Sequence, residues 1–133
     1  MRYLVLAVSL LTVAACSSPT APSVDLPATV TLAPGGTAIF QGTGLTVRFD
    51  RVVSDSRCPA DAICIAAGDA SVRVTLVTAT GETTAEAWLA DRSRSGVTRD
   101  GFLVTFEALE PYPLASVPTP ADQYRATFTA SRP

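Results

Sequence analysis

The chain of 133 residues has no histidine and no lysine, and only three cysteines, one tryptophan and one methionine. Without His the side chain that titrates near neutral pH is missing, and with it the commonest general base and metal ligand. Three Cys alone leave a tetrahedral zinc site short of ligands. The ten arginines stand singly along prospective strands and turns against twelve acidic residues. With no basic cluster to displace counterions from phosphate, no nucleic-acid partner is expected. The apolar run at the N-terminus, Leu4 to Ala15, has 12 residues, whereas a helix that crosses a bilayer needs roughly 20. Nor does any stretch sustain the 3.6-residue period of an amphipathic helix.

What is present begins with an address. Met1-Arg2-Tyr3 is a short basic start, and Leu4 to Ala15 is an uncharged run that ends in small side chains, the pattern of an export signal. It closes on Val13-Ala14-Ala15-Cys16. These residues resemble the lipobox of bacterial lipoproteins. The resemblance implies that residues 1–15 are a signal peptide, that the Cys16 thiol carries diacylglycerol, and that its freed amine is acylated, with palmitate as a typical chain. Several acyl chains, each contributing about 0.8 kcal/mol per buried CH₂, anchor stably where one would be marginal. The alternative is an ordinary secretory signal with a chance Cys at its end. Ser17 after the Cys, rather than Asp, resembles the outer-membrane sorting pattern of a Gram-negative cell, where the protein would face the periplasm or the cell surface. Residues 16–24, which include Ser17-Ser18-Pro19-Thr20-Ala21-Pro22-Ser23, are small and Pro-rich and are expected to form a flexible tether. Removal of the leader leaves 118 residues, nine Arg and twelve acids, enough for one core but too few for two domains.

Residues 25–133 read as one all-β domain. Short segments rich in Val, Thr, Phe and Leu are separated by Gly, Pro and Asp. Ala28 to Leu32 and Thr37 to Gln41 are expected to pair across Ala33-Pro34-Gly35-Gly36. From Leu45 to Val53, Leu45, Val47, Phe49 and Val53 share one face and Thr46, Arg48 and Asp50 the other, with Arg51 breaking the alternation. Ala70 to Thr78 alternates with Val72, Val74 and Leu76 inward and Arg73 and Thr75 outward. Thr83 to Ala90, Gly101 to Leu109 and Gln123 to Ala130 complete the set, Asp91 to Asp100 is a loop, and Leu114 to Asp122 is irregular. Trp88 and Tyr124 are assigned to the core. About seven strands with turn signals at regular spacing fit an antiparallel β-sandwich of immunoglobulin-like type better than a closed barrel.

The densest run of unusual residues is Asp55 to Asp69. With Cys16 taken by lipid, as the lipobox resemblance implies, Cys58 and Cys64 are the remaining thiols of an exported chain and are read as a disulfide that clips a local loop. A metal site and a redox pair are the rival readings, weakened by the missing His and by a gap wider than C-x-x-C. Asp50, Asp55, Asp61 and Asp69 could gather around calcium, but aspartates in a loop usually cap turns or stay solvated, and no EF-hand spacing occurs. No metal and no cofactor are expected. The segment D-S-R-C-P, a gap, then C-x-A-A-G, with a later Leu109-Glu110-Pro111-Tyr112-Pro113, resembles a set of uncharacterised bacterial lipoproteins and secreted β-domains. There the second half reads C-x-W-A-G, so Ala66 stands where those relatives carry Trp. That resemblance implies fold and location and brings no activity.

The functional expectation is a non-catalytic envelope protein, monomeric and held to the membrane through Cys16, whose loops contact a protein or a glycan. Recognition loops commonly sit on rigid sandwiches. The candidate binding loop comprises Asp55, Arg57, Pro59, Asp61 and Asp69, with Tyr112 the aromatic most expected to be exposed. One alternative makes the clipped loop a protease-inhibitor wedge. The other is a hydrolase using paired carboxylates such as Glu107 and Glu110, although Glu107 falls opposite Phe102 and Phe106 on its strand, where solvent exposure is the default.

Overall fold

A computed structural model of the chain describes residues 25–133. The expected signal peptide (residues 1–15), Cys16 and the expected tether (residues 16–24) lie outside the described residues. The domain is a β-sandwich of two four-stranded antiparallel sheets. The strands are β1 (Ala28–Leu32), β2 (Thr37–Phe40), β3 (Leu45–Asp55), β4 (Ala70–Thr78), β5 (Gly81–Trp88), β6 (Gly96–Arg99), β7 (Phe102–Glu110) and β8 (Arg125–Ser131). One sheet runs β1-β8-β7-β6 and the other β2-β3-β4-β5. The sandwich has the expected antiparallel character, with eight strands among the described residues where about seven were expected. The additional one, β6, lies in the expected loop Asp91 to Asp100. It has four residues and buries only Val97, too little alternation to stand out in the sequence.

The connectivity is simpler than that of an immunoglobulin domain, in which the chain crosses between sheets three times. Here it crosses twice, from β1 to β2 and from β5 to β6, and otherwise each strand pairs with its neighbour in sequence until β8 returns to β1. The expected β1–β2 hairpin is accordingly absent. The tight turn does form, with the Gly36 amide donating to the Ala33 carbonyl at 2.8 Å. It carries the chain across the gap between sheets, where Gly35 N–H donates to Phe49 O at 2.7 Å and Phe49 N–H to Gly36 O at 3.0 Å.

The core lies between the sheets and follows the period-two pattern. Leu45, Val47 and Phe49 from β3, Val72, Val74 and Leu76 from β4, and Phe102, Val104 and Phe106 from β7 are buried. Phe128 of β8 stands at the centre, with ring centroids 5.9 Å from Phe49 of the facing sheet and 5.7 Å from Phe106, spacings typical of favourable aromatic pairs. The register of β3 against β4 shifts between Phe49 and Arg51 and again between Val52 and Ser54. These irregularities re-phase the strand, so that Val52 packs against the core, rather than the expected Val53. Thr75, expected outward, is buried on the outer face of β4. Its hydroxyl donates to Asp50 at 2.6 Å, lies 2.7 Å from that of Thr84 and accepts from Arg48 at 3.3 Å, so its burial leaves no hydrogen bond unmade.

The turns sort to two poles. At one lie residues 25–28, the β2–β3 turn, the β4–β5 turn and the β6–β7 turn. Ala28 pairs with Ala130 and Ala130 with Val104, and Arg99 donates to Thr83 Oγ1 at 2.6 Å. At the other lie the β3–β4 loop 56–69, the segment 89–95 and the β7–β8 segment 111–124. The nine residues of β7, at about 3.3 Å each, separate the poles by roughly 30 Å.

Candidate functional site

The β3–β4 loop grows out of the hairpin as a narrowed ladder. Past the Asp55–Ala70 pair, Ser56 N–H donates to Asp69 O and Cys58 N–H to Ala67 O, both at 2.8 Å. Gly68 makes this approach possible. Its φ is +69°, and a Cβ there would lie 1.7 Å from the carbonyl oxygen of Ser56. Beyond the ladder Cys58 and Cys64 are joined by a disulfide with Cα atoms 5.9 Å apart, within the ordinary range. The clip anticipated from the sequence is there.

At the base of the loop, Arg57 and Asp55 form the ion pair that their closeness in sequence allows, but it is internal. Their side chains are each 7% exposed. Arg57 Nε donates to one carboxylate oxygen of Asp55 and Nη2 to the other, both at 2.7 Å. Nη1 donates to Leu109 O at 2.6 Å and Nη2 also to Pro111 O at 3.1 Å. The Tyr124 hydroxyl donates to Asp55 at 3.1 Å, and the Tyr112 ring lies 5.0 Å from the guanidinium carbon. Burial disfavours the Asp55 charge, yet the hydrogen bonds and charge of Arg57 more than offset it, and the carboxyl is held below its usual range. The Asp55 hydrogen bonds hold Arg57 above its usual range. Tyr124, half-buried against the core rather than fully inside it, is pushed up by burial and then by the Asp55 charge.

The other sequence candidates are also tied down. Asp61 is exposed and accepts from Ala115 N–H at 2.7 Å and from the Ser116 hydroxyl at 3.2 Å. The Ala115 hydrogen bond is the first cause of its lowered pKa. Asp69 accepts from Ala90 N–H at 2.7 Å and Asp91 N–H at 3.2 Å, and so joins the start of β4 to the segment after β5. Pro59 is half-buried, and Ala60 N–H donates to Pro113 O at 3.0 Å. Among the described residues no three Asp, Glu or Cys side chains converge as metal ligands. Asp50, Asp55, Asp61 and Asp69 each serve separate partners. Glu107 is exposed and pairs at 3.4 Å with the exposed Arg92, and Glu110 is exposed. Trp88, assigned to the core from the sequence, points outward instead. Alternation along β5 places Ala87 inside, and the Arg94 guanidinium lies 4.3 Å over the indole.

What the sequence reading missed is apolar. Ile63 and Ile65, on either side of Cys64, are 104% and 110% exposed, as open as in an isolated extended chain. Beside them the β7–β8 segment exposes Tyr112, Leu114 and Val117. Tyr112, Leu114 and Val117, but neither isoleucine, line a shallow groove of about 190 Å³ with Pro111, Pro118, Thr119, Pro120 and Gln123, and the lining carries no carboxylate. The available signal was the segment Ala62 to Gly68 itself, which has two isoleucines and no charge in a stretch without strand alternation. The chain matches no protein-family model, no curated protein and no solved structure.

Proposed function

We propose that this chain is a lipid-anchored envelope protein whose β domain presents a non-catalytic recognition surface at the pole away from its anchor. Export through residues 1–15, lipid on Cys16 and a tether over residues 16–24 place residues 25–28 nearest the membrane. The observation that carries the reading is the gathering of Ile63, Ile65, Tyr112, Leu114 and Val117 in solvent at the opposite pole. Apolar patches rimmed by polar residues mark interaction surfaces, and Asp61, Ser116 and Gln123 supply such a rim. The structural economy agrees: the buried charges Asp55 and Arg57 satisfy one another inside the loop base and leave the apolar tip to face outward.

Two measurements test this reading. Mass analysis of the mature protein should show a chain that begins at a diacylglyceryl- and acyl-modified Cys16; an unmodified residue 16 overturns the anchoring. A photo-crosslinking amino acid at position 117, in cells, should give a discrete adduct that is lost when Ile63→Asp is introduced, whereas the same group at the exposed Ile39 of β2 should not. Equal labelling from both positions, or none from 117, overturns the recognition pole.

A further inference from the structure

We infer that the clipped loop binds in the substrate cleft of a serine protease with a small aliphatic specificity pocket, and that Ile65 is the side chain that enters it. The inference rests on the recognition pole proposed above and names the partner of that pole.

Shape is the first argument. Side chains as open as Ile63 and Ile65 belong to a convex ridge, which finds contact area only in a concave partner. A protease cleft is such a surface, and its specificity pocket takes a single protruding side chain such as that of Ile65 at the bend of the loop. A flat membrane fits less well, since the ridge is flanked by Asp61 and Asp69 in a net-acidic chain that anionic headgroups repel. A sugar fits less well too, because the nearest exposed aromatic, Tyr112, already has Arg57 stacked on it.

Charge is the second. The seven residues Ala62 to Gly68 carry no charge, which suits subsites without charged groups and excludes a pocket that requires a basic or acidic side chain.

The third is fixation on both sides of Ile65. On its N-terminal side Cys64 is bonded to Cys58. On its C-terminal side Ala67 O and Asp69 O are held by Cys58 N–H and Ser56 N–H. Ala60 and Asp61 fasten the ridge to Pro113, Ala115 and Ser116. A loop already ordered loses little entropy on docking. The same fixtures separate an inhibitor from a substrate. Hydrolysis of the Ile65–Ala66 bond consumes one water and yields a carboxylate on Ile65 and an amine on Ala66. Both new ends stay tied to the domain at high effective concentration, so the bond re-forms with loss of that water instead of the fragments leaving. Leu114 and Val117 lie alongside as a second contact for the protease rim.

The test titrates the full-length protein, purified in detergent, against pancreatic elastase, with trypsin as the control of opposite specificity. Stoichiometric inhibition of elastase at or below micromolar concentration is expected. Ile65→Arg should weaken it by at least about tenfold and confer inhibition of trypsin, because pocket fit sets such discrimination. The side chain is fully exposed, and an unchanged thermal midpoint will show that the variant folds. The double variant Cys58→Ser/Cys64→Ser should instead be cut at Ile65–Ala66, as read by mass. The inference is overturned if the intact loop is rapidly and completely cleaved. It is equally overturned if elastase is not inhibited by the natural chain and trypsin is not inhibited by Ile65→Arg. Neither result touches the lipid mass or the crosslink at position 117, so this inference and the reading beneath it fail separately.

Discussion

Arg57 donates from Nη1 to the carbonyl of Leu109, 52 residues further along the chain, at 2.6 Å. A single buried guanidinium thereby joins the end of β3 in one sheet to the end of β7 in the other, and it holds the following segment through Pro111 O and the Tyr112 ring. The exposed loop thus grows from a root that is part of the interior. Removal of one partner from a buried ion pair leaves the other charge uncompensated. Arg57→Ala should therefore lower the unfolding free energy by about 3–5 kcal/mol. Arg57→Lys should restore little, since an ammonium cannot reproduce the planar fork that serves Asp55, Leu109 and Pro111 together. Urea denaturation of the variants checks both.

Acid should weaken the same root. A carboxyl whose folded pKa is depressed contributes stability that is fully present above its unfolded value, about 3.9 for Asp, and that is lost as pH falls through the folded value. Asp55 is such a group. Thermal midpoints measured from about pH 6 down to about pH 2 should fall steeply below pH 4, and Asp55→Asn should flatten that part of the curve. A natural protein and a variant with parallel acid limbs would contradict the assignment. Asp61, Asp91 and Asp100, also lowered through hydrogen bonds from neighbouring groups, act in the same direction.

Two glycines with the same backbone sign should respond differently to a methyl group. Gly35 has φ +79° with open space around an added Cβ, whereas at Gly68, φ +69°, that Cβ would meet the Ser56 carbonyl. Gly35→Ala should cost about 1–2 kcal/mol, the left-handed penalty alone. Gly68→Ala should cost more than that and should disturb the ladder, seen as faster exchange of the Ser56 and Cys58 amide hydrogens. Equal costs would mean that the close approach is not needed.

The disulfide should act locally. A loop as short as that between Cys58 and Cys64 stabilises by about 2 kcal/mol in the chain-entropy account. Cys58→Ser/Cys64→Ser should leave a folded sandwich with a lower denaturation midpoint and a loop that proteases attack well before the strands. Global unfolding of the double variant would show that the clip holds more than its own loop.

Much of this fold was legible because period-two alternation is a strong signal where one face is buried. Leu45, Val47 and Phe49, Val72, Val74 and Leu76, and Phe102, Val104 and Phe106 all lie on the faces their spacing assigns. The failures have specific causes. A short strand with one buried residue, β6, carries too little pattern. Bulges shift the phase, so Val52 replaces Val53. Turn chemistry marks where the chain bends but not whether the next strand stays in the same sheet, which is why Ala33 to Gly36 led to a hairpin that does not form. In the candidate site, Asp55, Arg57 and the cysteines stood out by residue type, yet type does not report depth, and the charges lie inside. Isoleucine reads as core by default, so Ile63 and Ile65 went unremarked until their surroundings were known.

The return of β8 to β1 also orders events as the chain emerges, N-terminus first. The strands β2 to β5 follow one another and can pair as each emerges, whereas β1, which emerges before them, has no partner until the last strand of the domain, β8, arrives. Until then its exposed edge and the apolar side chains of Val30 and Leu32 wait uncovered, and the seven residues of β8 close the sheet by pairing with β1 on one side and β7 on the other.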